Sequence, residues 1–445
     1  MASKQKSTKQ EFIPGSLSES SDIFDFPFMT DETTIDFLKD HGRIMFIIRG
    51  PPGTGKVSLS EMLIDQFPTA TVCSADAYFE NTFSTQKRER EALRQSHEFC
   101  HAAVETACQS DDHPIIVKNT HMKRFELQTY LNFAAQYNYT VIMAVTLHKF
   151  KVTPEILAKS NTKGLSVEYF KRRLKQWEEV IPVCVGWFPN QEDMFHLLNE
   201  LQKALDALLG DGKFCRVMNM FDKAELLMHY KARMLLYSIA ACEERTDCYK
   251  LRGYYLSEKV QEDYGKCFTT TILGYLVTPS FICAVVHLND TQKALRQKQE
   301  RNKPKSDGID SLVKSLNRLE LENKSIESEE NLKQHTKTTH LGDKFVSLKT
   351  TAMDKVCSDD RVINVDDCGC MLLAETGGTY HHPKEVLDSF LELMNGGADE
   401  NGEIRSDQLI ELEENMRAYR FPNDAWLIKP PYDLSFTTVF TGLYV

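Results

Sequence analysis

Short apolar runs alternate with longer segments whose apolar residues recur every three or four positions along the first third of the chain. The runs are Ile44-Met45-Phe46-Ile47-Ile48, Thr71-Val72-Cys73, Ile115-Ile116-Val117 and Thr140 to Val145. Each is too short for a helix and bounded by turn-forming residues, so each reads as a strand. Between them the pattern predicts helices over 58–66, 86–110 and 124–136, with a short acid-capped helix within 24–40. Alternation at this spacing predicts a parallel α/β sheet, whose functional residues gather at the carboxyl ends of the strands.

The later pattern is different. A helix over 194–209 runs into Gly210-Asp211-Gly212, where a domain boundary is expected. Beyond it come helix 221–230, strands 233–239 and 269–277, helix 383–394 and a last strand 436–444, a mixed order that predicts an α+β domain. The expected organisation is a disordered leader at 1–22, a first domain over 23–210 and a second over 213–445. An insertion at 289–338, rich in Lys, Glu, Gln, Ser and Asn, interrupts the second domain and reads as mostly disordered. Leu312, Val313, Leu316, Leu319 and Leu321 give it one amphipathic patch, a candidate segment for protein partners.

Directly after the first strand stands Arg49-Gly50-Pro51-Pro52-Gly53-Thr54-Gly55-Lys56-Val57. A strand feeding a glycine-rich turn and then a helix is the setting of a phosphate-binding P-loop. Gly50, Gly53, Thr54 and Gly55 would curl backbone N–H groups around phosphate oxygens, and Lys56 would reach the terminal phosphates. Position 57 should be Ser or Thr, whose hydroxyl holds Mg²⁺, and valine offers the metal nothing. ATP or GTP at the P-loop is the candidate cofactor, with a Mg²⁺ site short of its hydroxyl.

Composition narrows the partners. The chain has 445 residues, a formal net charge of -11 and twelve cysteines. The negative balance gives no general pull toward nucleic acid, so RNA contact would need a local basic surface. The cysteines, scattered and without CxxC pairs, read as reduced thiols of the cytoplasm. Cys368-Gly369-Cys370 lacks partners at zinc spacing, and Ala398 to Glu403 is an incomplete calcium loop, so no metal site is assigned. No run reaches the ~18 apolar residues of a membrane span. The polar stretch Met1 to Ser21 does not read as a signal peptide, and Gly442-Leu443-Tyr444-Val445 is not a prenylation box.

The P-loop followed by Ser74-Ala75-Asp76-Ala77-Tyr78 and Asn119-Thr120-His121 resembles the polynucleotide-kinase type of P-loop domain. Asp25-Phe26-Pro27-Phe28, Gln136-Tyr137-Asn138-Tyr139, Gly186-Trp187-Phe188, the segment Lys266 to Pro279 and Val439 to Tyr444 extend the likeness. Together they resemble the 2′,3′-cyclic-nucleotide 3′-phosphodiesterase family, over most of the chain and in order. The resemblance implies a P-loop domain joined to a two-histidine phosphoesterase-like domain. It further implies action on nucleotides or RNA 3′ ends, with contacts at membranes and the cytoskeleton.

Carried over residue by residue, the resemblance also exposes losses. Asp76 matches the kinase-type base that takes a proton from an acceptor hydroxyl, although a helix N-cap explains it equally well. Lys118 stands where an acidic residue is usual. It would be either a second charge on phosphate or a solvated lysine. Arg172 and Arg173 match a phosphate-clamping lid. In the second domain, Tyr237 and Phe345 stand where the two histidines are expected, and only Ser347 keeps a hydroxyl of the second motif. No nearby histidine begins a His-x-Thr or His-x-Ser triplet. Losing a general acid or base costs ~10²–10⁴-fold each. The expectation is therefore a nucleotide-, RNA- or protein-binding pseudoenzyme, and the alternative is an active phosphodiesterase forming 2′-nucleotides.

Overall fold

The computed structural model describes residues 24–81, 90–148, 152–244, 248–297, 338–340, 354–357, 363–377, 381–405 and 409–444. The expected leader, residues 298–337 of the expected insertion, and the candidate residues Phe345 and Ser347 lie outside them. The insertion expected over 289–338 begins later than its composition suggested, because Asn289 accepts the Gln292 amide at 2.9 Å and caps a helix over Asp290–Leu295. The chain divides into two compact units, Met1–Ile181 with Tyr264–Lys266, and Pro182–Asp263 with Cys267–Val445.

The first unit is built on β1 (Ile44–Arg49), β2 (Thr71–Cys73), β3 (Ile115–Lys118) and β4 (Thr140–Val145). They form a parallel sheet in the order β2-β3-β1-β4. Every residue of β1 is buried, as a strand covered on both faces requires. Helices α1 (Pro27–Thr30), α2 (Glu32–Asp40), α3 (Lys56–Gln66), α4 (Asp76–Asn81), α5 (Arg90–Gln109), α6 (Phe125–Gln136), α7 (Pro154–Ser160) and α8 (Val167–Leu174) complete it. Local chemistry starts several of them. Asp31 accepts the Thr34 amide at 2.8 Å ahead of α2, and Ser166 accepts the Tyr169 amide at 3.2 Å ahead of α8. The aromatic run before α1 is structural. Phe28 stacks on Phe26 at 4.8 Å and meets Phe46 of β1 at 5.2 Å. Burying such a ring contributes about 1.5–3 kcal/mol.

The second unit holds β5 (Cys184–Pro189), β6 (Tyr230–Arg233), β7 (Ser238–Cys242), β8 (Cys267–Val277), β9 (Phe281–His287), β10 (Thr338–His340), β11 (Asp354–Cys357), β12 (Cys368–Thr376), β13 (Leu409–Glu411), β14 (Arg417–Phe421), β15 (Ala425–Lys429) and β16 (Tyr432–Leu443). The pairing is antiparallel. Because β9 pairs with both β8 and β12, the path β12-β7-β5-β16-β8-β9 closes on itself into a barrel. Trp187, Phe268 and Phe440 meet in its core, with Trp187 and Phe440 5.4 Å apart. Helices within this unit, among them α9 (Gln191–Leu208) and α10 (Gly212–Met218), make it α+β.

Two expectations change. The compact units part at Ile181/Pro182 and not at Gly210-Asp211-Gly212. The reason is pairing: β5 runs antiparallel to β16 and β7, so it and α9 belong to the second sheet. Asp211 is no hinge. It caps α10 by accepting the Lys213 amide and also accepts Arg420 Nη2 at 2.9 Å. The single strand expected over 233–239 is two strands lying in turn along one edge of β12. Ala232 pairs with Ala374 and Ser238 with Met371, so six steps of one chain face three of the other. The excess bulges out of the ladder at 234–237, a break that β-propensity alone does not reveal.

Candidate functional site

β1 ends at Arg49, and the chain then turns through the glycine-rich loop into α3, with Gly55 at its N-cap. Two glycines are required by close approach. A Cβ on Gly50 would collide with Thr146 Oγ1 and lie 2.7 Å from Thr54 Oγ1. Gly53 has φ +83°, and a Cβ there would lie 2.7 Å from Ser160 Oγ. The loop is fastened from inside. Thr54 Oγ1 donates to the Pro51 carbonyl at 2.8 Å and shares a 2.7 Å hydrogen bond with Thr146 Oγ1, while Ser160 Oγ donates to the Gly53 carbonyl at 2.9 Å.

This loop forms the floor of a cavity of ≈600 Å³. Lys56, Lys118, Lys163 and Arg173 line it, and Asp76 is the one carboxylate among its lining residues. Lys56 Nζ donates to the Pro51 carbonyl at 2.8 Å. Burial lowers its pKa from 10.5 to about 7; Lys163 and Lys118 push the same way and Asp76 opposes them. Asp76 opens α4 just past β2, where a parallel sheet puts functional groups. Its carboxylate is already engaged: both oxygens accept Lys163 Nζ, at 3.0 and 2.9 Å. Lys163 sits in the turn between α7 and α8. Asn161 shapes that turn by accepting the Lys163 and Leu165 amides at 3.2 and 2.8 Å.

The other predicted residues divide. Gly53, Gly55 and Lys56 line the cavity, whereas Thr54 is buried with its hydroxyl turned into the loop. Arg173 lines the cavity; Arg172 lies over the Tyr169 ring, 5.9 Å from its centroid. Asn119 has a scaffolding role, its Oδ1 accepting the Ala75 amide at 2.9 Å and so holding the segment before Asp76. A kinase-type P-loop implies Mg²⁺, and these residues do not fit one. Val57, 56% exposed, presents methyl groups at the hydroxyl position, Lys118 brings positive charge, and Asp76 is paired with Lys163. Among the described residues no group of three or more His, Cys, Asp or Glu side chains could hold a metal.

In the second unit, Tyr237 is 5% exposed and stacks on Phe188 with ring centroids 4.9 Å apart. It packs against β5 from the bulge that precedes β7.

A profile of the AAA domain family matches residues 45–176, the span from β1 past α8. The chain is 26% identical over 284 residues to 2′,3′-cyclic-nucleotide 3′-phosphodiesterase (CNPase) of Pongo abelii, covering 61% of this chain and 66% of that one. This chain is CNPase-like. The match spans just under two thirds of the relative's length. NEDD4-binding protein 2 of Homo sapiens is 28% identical over 144 residues, 32% of this chain and 8% of that protein. A solved structure of the Pnkp1/Rnl/Hen1 RNA repair complex overlaps 30% of this chain and 43% of that one at 16% identity, with a TM-score of 0.26. That overlap is too weak to build on.

A parallel α/β P-loop domain followed by an α+β domain is the architecture the sequence predicted; the closure of the second into a barrel was not part of that expectation. The sequence reading missed Lys163, Ser160 and Thr146. Asn161-Thr162-Lys163-Gly164 was a recognisable turn, yet nothing local said that its lysine meets a carboxylate 87 positions earlier. No helix among the described residues is long and apolar enough to cross a membrane.

Proposed function

We propose that this CNPase-like chain binds a nucleotide or RNA phosphate through its P-loop unit and is degenerate as a phosphodiesterase. One observation carries the second half: Tyr237, in the place expected for the first histidine, is stacked into the core against Phe188. A phenol there is a poor proton carrier, with an unperturbed pKa of ~10. The first half rests on the cationic cavity over Gly53, Gly55 and Lys56. In this reading phosphoryl transfer is not part of the function, because Val57 and Lys118 leave the metal position without its usual hydroxyl and acidic residue.

Purified protein assayed on 2′,3′-cyclic AMP and 2′,3′-cyclic NADP is expected to give no turnover above buffer. Turnover abolished by Ser347→Ala would overturn the degenerate reading and leave the alternative, a working phosphodiesterase that forms 2′-nucleotides.

A further inference from the structure

We propose that the P-loop cavity takes a polyphosphate free of divalent cation, with Lys118 and Lys163 standing in for the metal, and that Lys163 exchanges Asp76 for the bound phosphates. This rests on the nucleotide-binding reading of the same site. In an ordinary P-loop, a divalent ion bridges phosphate oxygens and is itself held by a hydroxyl and a carboxylate. Here the hydroxyl is replaced by Val57, and the carboxylate of Asp76 is neutralised by Lys163 at 2.9 Å. What the cavity offers instead is four cationic side chains, Lys56, Lys118, Lys163 and Arg173, against that single carboxylate.

The excess positive charge has a cost when the cavity is empty. Burial and the two neighbouring lysines leave the Lys56 ammonium disfavoured, with its pKa near 7. Phosphate oxygens would relieve that crowding, and a metal ion arriving with them would restore it. The Asp76–Lys163 pair suits an exchange. Both side chains are exposed, 51% and 36%, so the pair contributes little to folding and opens readily. Asn161 fixes the backbone on either side of Lys163, so the change is confined to the lysine side chain.

The test is calorimetric titration of the full chain with ATP, in EDTA and in excess MgCl₂, with inorganic tripolyphosphate as competitor. ATP is expected to bind in EDTA at least as tightly as with Mg²⁺, and tripolyphosphate to displace it. Lys163→Gln should weaken binding in EDTA about tenfold, the loss of one charge-assisted contact, and Lys163→Arg should restore most of it. ATP binding only in the presence of Mg²⁺, or failure of tripolyphosphate to compete, would overturn this inference and leave the nucleotide site standing. An unchanged affinity in Lys163→Gln, with its native circular dichroism spectrum retained, would remove Lys163 from the site. No binding of either ligand in either buffer would overturn the nucleotide reading and this inference together.

Discussion

The guanidinium carbon of Arg49 lies 4.0 Å from the centroid of the Trp177 ring. Arg49 is the last residue of β1, and Trp177 follows α8, so the contact ties the root of the glycine-rich loop to the segment beyond that helix. Arg49 is 1% exposed and donates from Nε and Nη2 to the His121 carbonyl at 3.0 and 2.7 Å, and from Nη2 to the Glu178 carbonyl at 3.0 Å. A buried cation is tolerated there because the His121, Met122 and Glu178 carbonyls and an aromatic face surround it.

Arg49→Lys therefore removes a planar donor set that a single ammonium does not reproduce. The expected loss of stability is ~2 kcal/mol or more, because buried carbonyls lose their donors. Trp177→Leu, which deletes only the ring face, should cost about 0.5–2 kcal/mol. Urea unfolding of the two variants checks the order. A larger loss in the tryptophan variant would show that the ring, and not the hydrogen bonds, secures the loop.

Acid should weaken the first unit early. His41 and His121 are buried, and burial lowers both pKa values from 6.5 to about 3, with His113 adding to the effect at His41 and Arg49 and His97 at His121. Between pH 6.5 and 3 the unfolded chain binds more protons than the folded one, so stability falls as pH drops through that window. The slope is about 1.4 kcal/mol per pH unit for each histidine at most. His121→Gln should flatten the dependence of the denaturation midpoint between those limits. An equally steep dependence in that variant would place the effect elsewhere.

Nucleotide affinity should fall as pH rises. With the pKa of Lys56 near 7 in the empty site, its ammonium is partly discharged just above that pH, and an anionic ligand restores the proton. The binding enthalpy in that range should vary with the ionisation enthalpy of the buffer, which reports proton uptake. Lys163→Gln removes one cation that depresses Lys56 and frees Asp76, which supports it, so proton uptake should shrink in this variant. Binding enthalpies independent of buffer in the unsubstituted protein would contradict the linkage.

Much of this protein is written locally. The apolar runs at 44–48, 115–117 and 140–145 are strands, and the glycines at 50, 53 and 55 turn the chain beneath a cavity of ≈600 Å³. These features were readable because period, turn chemistry and motif spacing depend on neighbours in sequence. Val57 and Lys118 likewise announced the damaged metal position before any fold was known.

Tertiary structure decided what depends on contact between distant residues. The run at 184–189 is apolar in either sheet, and only its pairing with β16 assigns it to the second unit. Tyr237 was expected to stand in a histidine's place, but that it is buried beside the bulge between β6 and β7 depends on the register against β12. Thr54 was expected to offer its backbone N–H, and only the fold shows that its hydroxyl is shared with that of Thr146, 92 positions away. Asp76 and Lys163 were two ordinary charged residues until the turn between α7 and α8 brought them within 2.9 Å. Sequence determined which chemical groups the chain carries. The fold decided which charges share one cavity, because electrostatic interaction follows distance in space and not separation along the chain.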